Sequence, residues 1–149
     1  MVESVIRKAI ANDAAQIAAL LGELGYPASA QSVKNRLINL SSNNGDVVFV
    51  ADYGGEITGF LSLHVIPLLH IDGRWGRITA LSVGSRFRRH GVGRRLVSAA
   101  ENFAWENGCV RIEVTSGNQR SDAHAFYKAA GYGLDDHSHR FLKSQPRQG

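Results

Sequence analysis

A chain of 149 residues, 44% hydrophobic and 20% charged, has the composition of a globular domain, which excludes a disordered or low-complexity protein, and the length to bury roughly two thirds of its unfolded surface. Its formal charge of +4 favours an anionic partner without separating a phosphorylated small molecule from a nucleic acid. A single cysteine excludes an internal disulfide, and no apolar run reaches the ~18 residues of a membrane span.

The opening M-V-E-S-V-I-R-K has an acid at Glu3 and no sustained apolar core, so a signal peptide is not expected and a cytoplasmic protein is. Val5 and Ile6, between polar neighbours, predict a first strand over Ser4 to Ala9. Asp13 and Gln16 read as a capping box opening a helix with Ala14, Ile17, Leu21 and Leu24 at helical spacing, stopped by Gly25 and Pro27. Ser29 or Ser32 is a candidate cap for a second helix carrying Val33, Leu37 and Leu40. The period then changes. Val47 to Ala51 and Glu56 to Ile66 predict an antiparallel pair about the Gly54-Gly55 turn. After a loop from Pro67 to Gly73, Arg77 to Val83 predicts another strand.

That strand feeds R-F-R-R-H-G-V-G-R-R-L, Arg86 to Leu96, which opens the clearest helix, Gly93 to Asn107. Gly93, Leu96, Val97, Ala100, Phe103 and Ala104 fall on one face, with Arg94, Arg95, Ser98, Glu101 and Asn102 opposite. A strand that turns through Gly91 and Gly93 into a helix leaves backbone N–H groups without intrahelical partners, and Arg88, Arg89, Arg94 and Arg95 add positive charge around them. A phosphate-bearing ligand is expected there. The motif is neither a Walker loop, for no Gly-Lys-Ser/Thr follows, nor a dinucleotide fingerprint, which belongs to a first βαβ unit.

Gly108 should close the helix, and Val110 to Val114 alternate as a strand parallel to the previous one, making the sheet mixed. Ser121 or Asp122 then caps a short helix through Ala130. Tyr132 to Asp135 and His139 to Lys143 predict two final strands, and 144–149 a frayed tail.

The turn, the L-S-V strand end at Leu81 to Val83 and the later N…A-H-A-F-Y-K-A-A-G-Y segment, Asn118 to Tyr132, come in one order, and together they resemble the GNAT superfamily of acyl-CoA-dependent N-acetyltransferases. The resemblance spans nearly the whole chain. It implies one domain over residues 1–149, an α/β fold with a mixed, partly splayed sheet flanked by helices on both faces, and transfer of acetyl from acetyl-CoA to a primary amine of a small molecule or peptide. The CoA pyrophosphate would fall on Arg88, Arg89, His90, Gly91, Val92, Gly93 and Arg94. Pantetheine would meet the main chain at Leu81, Ser82 and Val83, and Asn118 and Tyr127 would lie along the arm, with the Tyr127 phenol protonating the departing thiolate. Many members of the family are dimers, so a homodimer is one expected assembly.

The chemistry asks for such parts: amine attack on a thioester needs donors for the oxyanion, a proton for the thiolate and a neutral amine. One part is missing. Where many family members carry a general base, Arg77 to Val83 has no acid, and Thr79 and Ala80 stand there instead. We therefore expect no single side chain to act as direct base, the proton leaving through water, with Glu113 the one acid in the neighbouring strand. The alternative is a catalytically impaired CoA-binding regulatory module. A nucleic-acid binder is weaker, since the arginines cluster at one turn without interleaved aromatics.

Among the remaining candidates, His137 and His139 lack a third ligand at useful spacing, so no metal is expected. His124 reads as an exposed first-turn residue, and His64 and His70 flank a substrate loop without a defined role. Cys109, opening an apolar run, reads as a buried hydrophobe rather than a catalytic thiol.

Overall fold

The computed structural model describes residues 4–115, 121–135 and 137–146. Two compact units divide at Thr115 and Ser116. The first contains a five-stranded sheet, β1 (Val5–Lys8), β2 (Asp46–Tyr53), β3 (Glu56–Pro67), β4 (Arg74–Val83) and β5 (Cys109–Val114), with α1 (Ala14–Leu24), α2 (Ala30–Ser41) and α3 (Val92–Glu106). The second contains α4 (Ser121–Ala129) and the segment that follows it.

Spatial and sequence order coincide: β1 to β4 are antiparallel neighbours, and β5 joins β4 in parallel after the α3 crossover. Gly54 and Gly55 both take positive φ, 58° and 96°, the geometry a two-residue hairpin turn requires. Side chains alternate across the central strands. Val50 and Phe60, with partly buried Val48 and Ala80, pack against α1 and α2 through Ala14, Ile17, Leu20, Val33 and Leu37. The other face carries Phe49, edge-on to Phe103 of α3 at 6.1 Å, and Gly59, over which Val92 and Leu96 sit. Helices therefore cover both faces of this mixed sheet, as expected. Leu96, Val97, Ala100 and Ala104 are the buried stripe of α3, and Leu96 or Val97 alone contributes about 2 kcal/mol through burial.

Two expectations are corrected. Asp13 and Gln16 form no capping box. Asp13 accepts two hydrogen bonds from the Arg7 guanidinium, 2.8 and 2.9 Å, and one from the Ile10 N–H at 2.8 Å, closing a short 3-10 turn over Ala11–Asp13 that precedes α1. Gln16 instead reaches the hairpin, accepting from the Ile57 N–H at 2.8 Å and donating to the Gly55 carbonyl at 3.1 Å. Nor do Tyr132–Asp135 or 139–143 form strands. The Asp135 carboxylate accepts from the His137 N–H (3.0 Å) and the Ser138 hydroxyl (2.7 Å), a local turn that competes with a ladder. The second helix is capped as anticipated, with Ser29 Oγ accepting from the Ser32 N–H.

Candidate active site

β4 is longer than its partner. Its parallel ladder with β5 ends where Ile78 meets Val114, while the antiparallel ladder with β3 continues to Val83 opposite Gly59. The change happens at a bulge. Leu63 faces Ile78 and Ser62 faces Ala80, which leaves Thr79 as an extra residue with no opposite number. Beyond it, among the described residues of this unit, no strand pairs with the β5-side edge of β4. The sheet is splayed there, and main-chain donors and acceptors of Thr79 to Val83 line an open edge.

That edge runs into the glycine turn. The Gly84 N–H donates to the Thr58 carbonyl at 2.8 Å, a 3-10 turn covers Ser85–Phe87, and Arg88 is extended. Arg89 and Gly91 then take left-handed φ values of 67° and 79°. For arginine this costs about 1–2 kcal/mol, strain of the kind that collects at functional sites. Gly91 is the N-cap of α3 and supplies no side chain to the first turn, where the Val92 and Gly93 N–H groups precede the first intrahelical bond, Arg95 N–H to Gly91 carbonyl. A Cβ at Gly91 would meet nothing within 4 Å, so the space over this turn is open and glycine is required for its φ. Open space, outward N–H groups, a helix N-terminus and the exposed side chains of Arg88, Arg89, His90, Arg94 and Arg95 together fit a phosphate group.

The expected residues are thus placed as follows. Leu81 and Val83 are half-buried on the α3 face of β4, and Ser82 is buried on the opposite face. Val92 is buried and Gly93 half-buried in the first turn of α3. Asn118 lies outside the described residues. Tyr127, half-buried on α4 in the second unit, sets its ring edge-on to Phe126 at 5.2 Å and to Tyr132 at 5.8 Å, and its carbonyl accepts from the Tyr132 N–H.

Four polar side chains meet at the bulge on the face that carries α1 and α2, past the cover these helices provide. His64 Nδ1 lies 2.8 Å from Asp46 Oδ1, and His64 Nε2 lies 2.9 Å from Thr79 Oγ1 and 3.3 Å from Ser62 Oγ. Asp46, Ser62 and His64 are half-buried, and Thr79 is exposed. His64 was expected only to flank a substrate loop, without a defined role. Counting back from the Gly54-Gly55 turn puts Asp46 opposite Leu63, on the wrong face. A bulge between Ala51 and Asp52 shifts the register by one and brings Asp46 opposite His64, and the bulge at Thr79 adds the hydroxyl.

Glu113, considered above for the proton path, is engaged otherwise. It accepts from Arg77 Nε at 2.8 Å and lies 3.5 Å from Arg111 Nη2, while the Arg111 guanidinium stacks 3.5 Å over the Trp75 ring. Cys109 is buried, and burial pushes its thiol above its ordinary pKa, with Arg74 opposing, as befits a packing residue. Among the described residues no cluster of three or more histidine, cysteine or acidic side chains could hold a metal, and no helix is long and apolar enough to cross a membrane.

A mixed α/β sheet opened between two parallel strands, its free edge leading to a glycine-rich helix start, defines the class of protein: an α/β fold with a splayed strand edge. The sequence model of the acetyltransferase (GNAT) family matches residues 14–132, and the chain belongs to this family of acetyltransferases. It is 36% identical over 78 residues to an aminoalkylphosphonate N-acetyltransferase of Salmonella typhimurium, a stretch covering 52% of this chain and 51% of that protein. A transcriptional regulator from Bacillus halodurans C-125 shares the fold at a TM-score of 0.84 and 27% identity, over 95% of this chain and 99% of that one. An aminoglycoside N-acetyltransferase solved in complex with CoA superposes at 0.84 with 14% identity, over 96% of each chain, a likeness of fold alone.

Proposed function

We propose that this acyltransferase moves the acetyl group of acetyl-CoA to the primary amine of a small molecule or peptide, as one domain over residues 1–149. The family match supports the single domain by running across the division at residue 115. One observation carries the ligand: β4 outlasts β5 by the length Thr79 to Val83 and delivers its open edge to the Gly91–Gly93 turn.

In this reading the CoA pyrophosphate rests on the main chain and cations of Arg88 to Arg94. The pantetheine arm hydrogen-bonds to the main chain of Leu81, Ser82 and Val83, as an added strand does, with Asn118 a further contact. Attack by the neutral amine forms the C–N bond and breaks C–S. Donors at the β4 bulge stabilise the oxyanion, and the Tyr127 phenol gives the thiolate its proton. A cytoplasmic location and a homodimer accompany the proposal.

For the acceptor, the names of relatives suggest where to begin. The test incubates the protein with acetyl-CoA and a panel of aminoalkylphosphonates, aminoglycosides, polyamines, amino acids and peptides with free N-termini, reading thiol release. Amine-dependent release from at least one class is expected. Protein that shows no thermal stabilisation by acetyl-CoA and no release with any amine defeats the proposal.

A further inference from the structure

We propose that His64, oriented by Asp46 and reaching the splay point through the Thr79 hydroxyl, is the general base that deprotonates the incoming amine. The inference rests on the acetyl-transfer reading above and supplies the base that β4 lacks.

The geometry decides the tautomer. An ionised Asp46 only accepts, so His64 Nδ1 carries the hydrogen bonded at 2.8 Å, and the neutral ring keeps its lone pair at Nε2. Thr79 Oγ1 at 2.9 Å is then the donor to Nε2, which turns the hydroxyl's own lone pairs toward solvent, since Thr79 is exposed. Asn43 Nδ2 donates to the other Asp46 oxygen at 3.1 Å, fixing the carboxylate. The proton path from solvent to ring therefore ends at a held imidazole, and it starts at the residue where β4 parts from β5. An ammonium arriving there faces the strand edge on which the thioester would lie.

The step balances. The ammonium gives one proton to Thr79 Oγ as the hydroxyl passes its own to His64 Nε2. The freed lone pair forms the C–N bond, and the C–S electrons leave on sulfur. A second nitrogen proton is lost as the amide forms, matching the one the thiolate gains through the acid of the site, and His64 returns its proton to water. The sum is ammonium plus acetyl-CoA giving amide, free thiol and one proton.

Other charges bear on the ring. Asp46 faces it from β2. From β4, Arg77 is its partner in the ladder, but that guanidinium is paired to Glu113 of β5. The ring thus has one carboxylate in direct contact and a cation already matched.

The test is the pH dependence of kcat/KM with an active amine, alongside the thermal shift caused by acetyl-CoA. Wild type should show an inflection that belongs to the enzyme and lies below the amine's own pKa. His64→Gln should keep the acetyl-CoA shift, lose about a hundredfold or more in kcat/KM at neutral pH, and lose that inflection, the rate then climbing to the amine's own pKa. Added imidazole should restore part of the rate to His64→Ala. Thr79→Val, at an exposed position the fold tolerates, should cost about tenfold or more. A folded His64→Gln with the wild-type profile and rate overturns the inference, as does an unimpaired Thr79→Val. Wild type that binds acetyl-CoA but acetylates no amine overturns the catalytic reading and this inference with it.

Discussion

Gly59 and Ser82 approach so closely that a Cβ on the glycine would stand 2.9 Å from the serine carbonyl oxygen. The same Cβ would lie 3.2 Å from Leu96 and 3.3 Å from Val92, so the first turn of α3 and the end of β4 both close on this point. Backbone cannot swing aside as a long side chain can. Gly59→Ala is therefore expected to destabilise by about 1–3 kcal/mol through overpacking. Because the displaced atoms belong to the strand end and helix start that form the turn, the thermal shift caused by acetyl-CoA should shrink as well. Urea unfolding and a ligand titration measure the two effects. An alanine variant with wild-type stability and wild-type shift would mean that the sheet and α3 are less closely joined than the geometry indicates.

The turn itself offers a separation of stability from binding. Arg89 holds a left-handed φ of 67°, so Arg89→Gly removes strain while freeing the unfolded chain, and stability should stay level or rise by up to about 1 kcal/mol. It also removes a cation from the anion site, which should weaken acetyl-CoA binding by about threefold to tenfold. Gly93→Val places a branched side chain in the helix's first turn and should abolish the stabilisation, which for a ligand at a hundredfold excess over Kd is about 2.7 kcal/mol. Calorimetric titration of both variants is the check, and undiminished affinity in Gly93→Val would remove the turn from the site.

Where a residue's neighbours lie close in sequence, the fold could be read ahead of the structure. The Gly54-Gly55 hairpin, the Ser29 cap and the α3 stripe each depend on spacing within a few residues, and each is found. Two of the failures have a common cause. Asp13 is the usual residue for a helix cap, but Arg7 from β1 claims both its oxygens, a tertiary contact that local pattern does not encode. His64 was passed over because its partners are set by bulges at Ala51/Asp52 and at Thr79, and a bulge moves every later residue to the other face without marking the sequence. The terminal segment alternates well enough for strands, yet Asp135 turns the chain on its own carboxylate. The glycine turn proposed as the anion site could be foreseen because its glycines and arginines lie within one turn. The hydrogen-bonded set of Asp46, His64 and Thr79, spread over three strands, could not.

Asp13 gives the protein an acid-sensitive joint. It is 4% exposed, and the Arg7 guanidinium, opposed by burial and aided by the Ile10 N–H, holds its carboxyl below the ordinary value. The unfolded chain therefore binds a proton at higher pH than the folded one. The resulting stability is fully present above the unfolded pKa, about 3.9, and is lost as pH falls through the lower folded value. Asp13→Asn should cost about 1–3 kcal/mol at neutral pH, since Arg7 then keeps Asp52 as its carboxylate and loses the charge of Asp13, and the Ile10 N–H loses a charged acceptor. Urea midpoints compared from pH 7 down to about 3 should show that the wild-type advantage narrows in acid. A gap that stays constant across the range would assign the loss to packing instead of charge.

Tyr127 divides two roles that a single substitution can tell apart. Its ring belongs to an edge-on aromatic set with Phe126 and Tyr132, which phenylalanine would preserve, whereas protonation of a thiolate needs the hydroxyl. Tyr127→Phe should therefore keep the aromatic set and leave the acetyl-CoA affinity nearly unchanged while lowering kcat by about a hundredfold. The choice of acyl donor sharpens the result. A thioester whose thiol has a much lower pKa needs little help in leaving, so the deficit of the phenylalanine variant should shrink with such a donor if the phenol is the acid. Steady-state kinetics on the two donors measure this directly. A variant that loses stability but keeps its turnover, or one whose deficit is the same for both leaving groups, assigns Tyr127 to packing and requires another proton source for the thiolate.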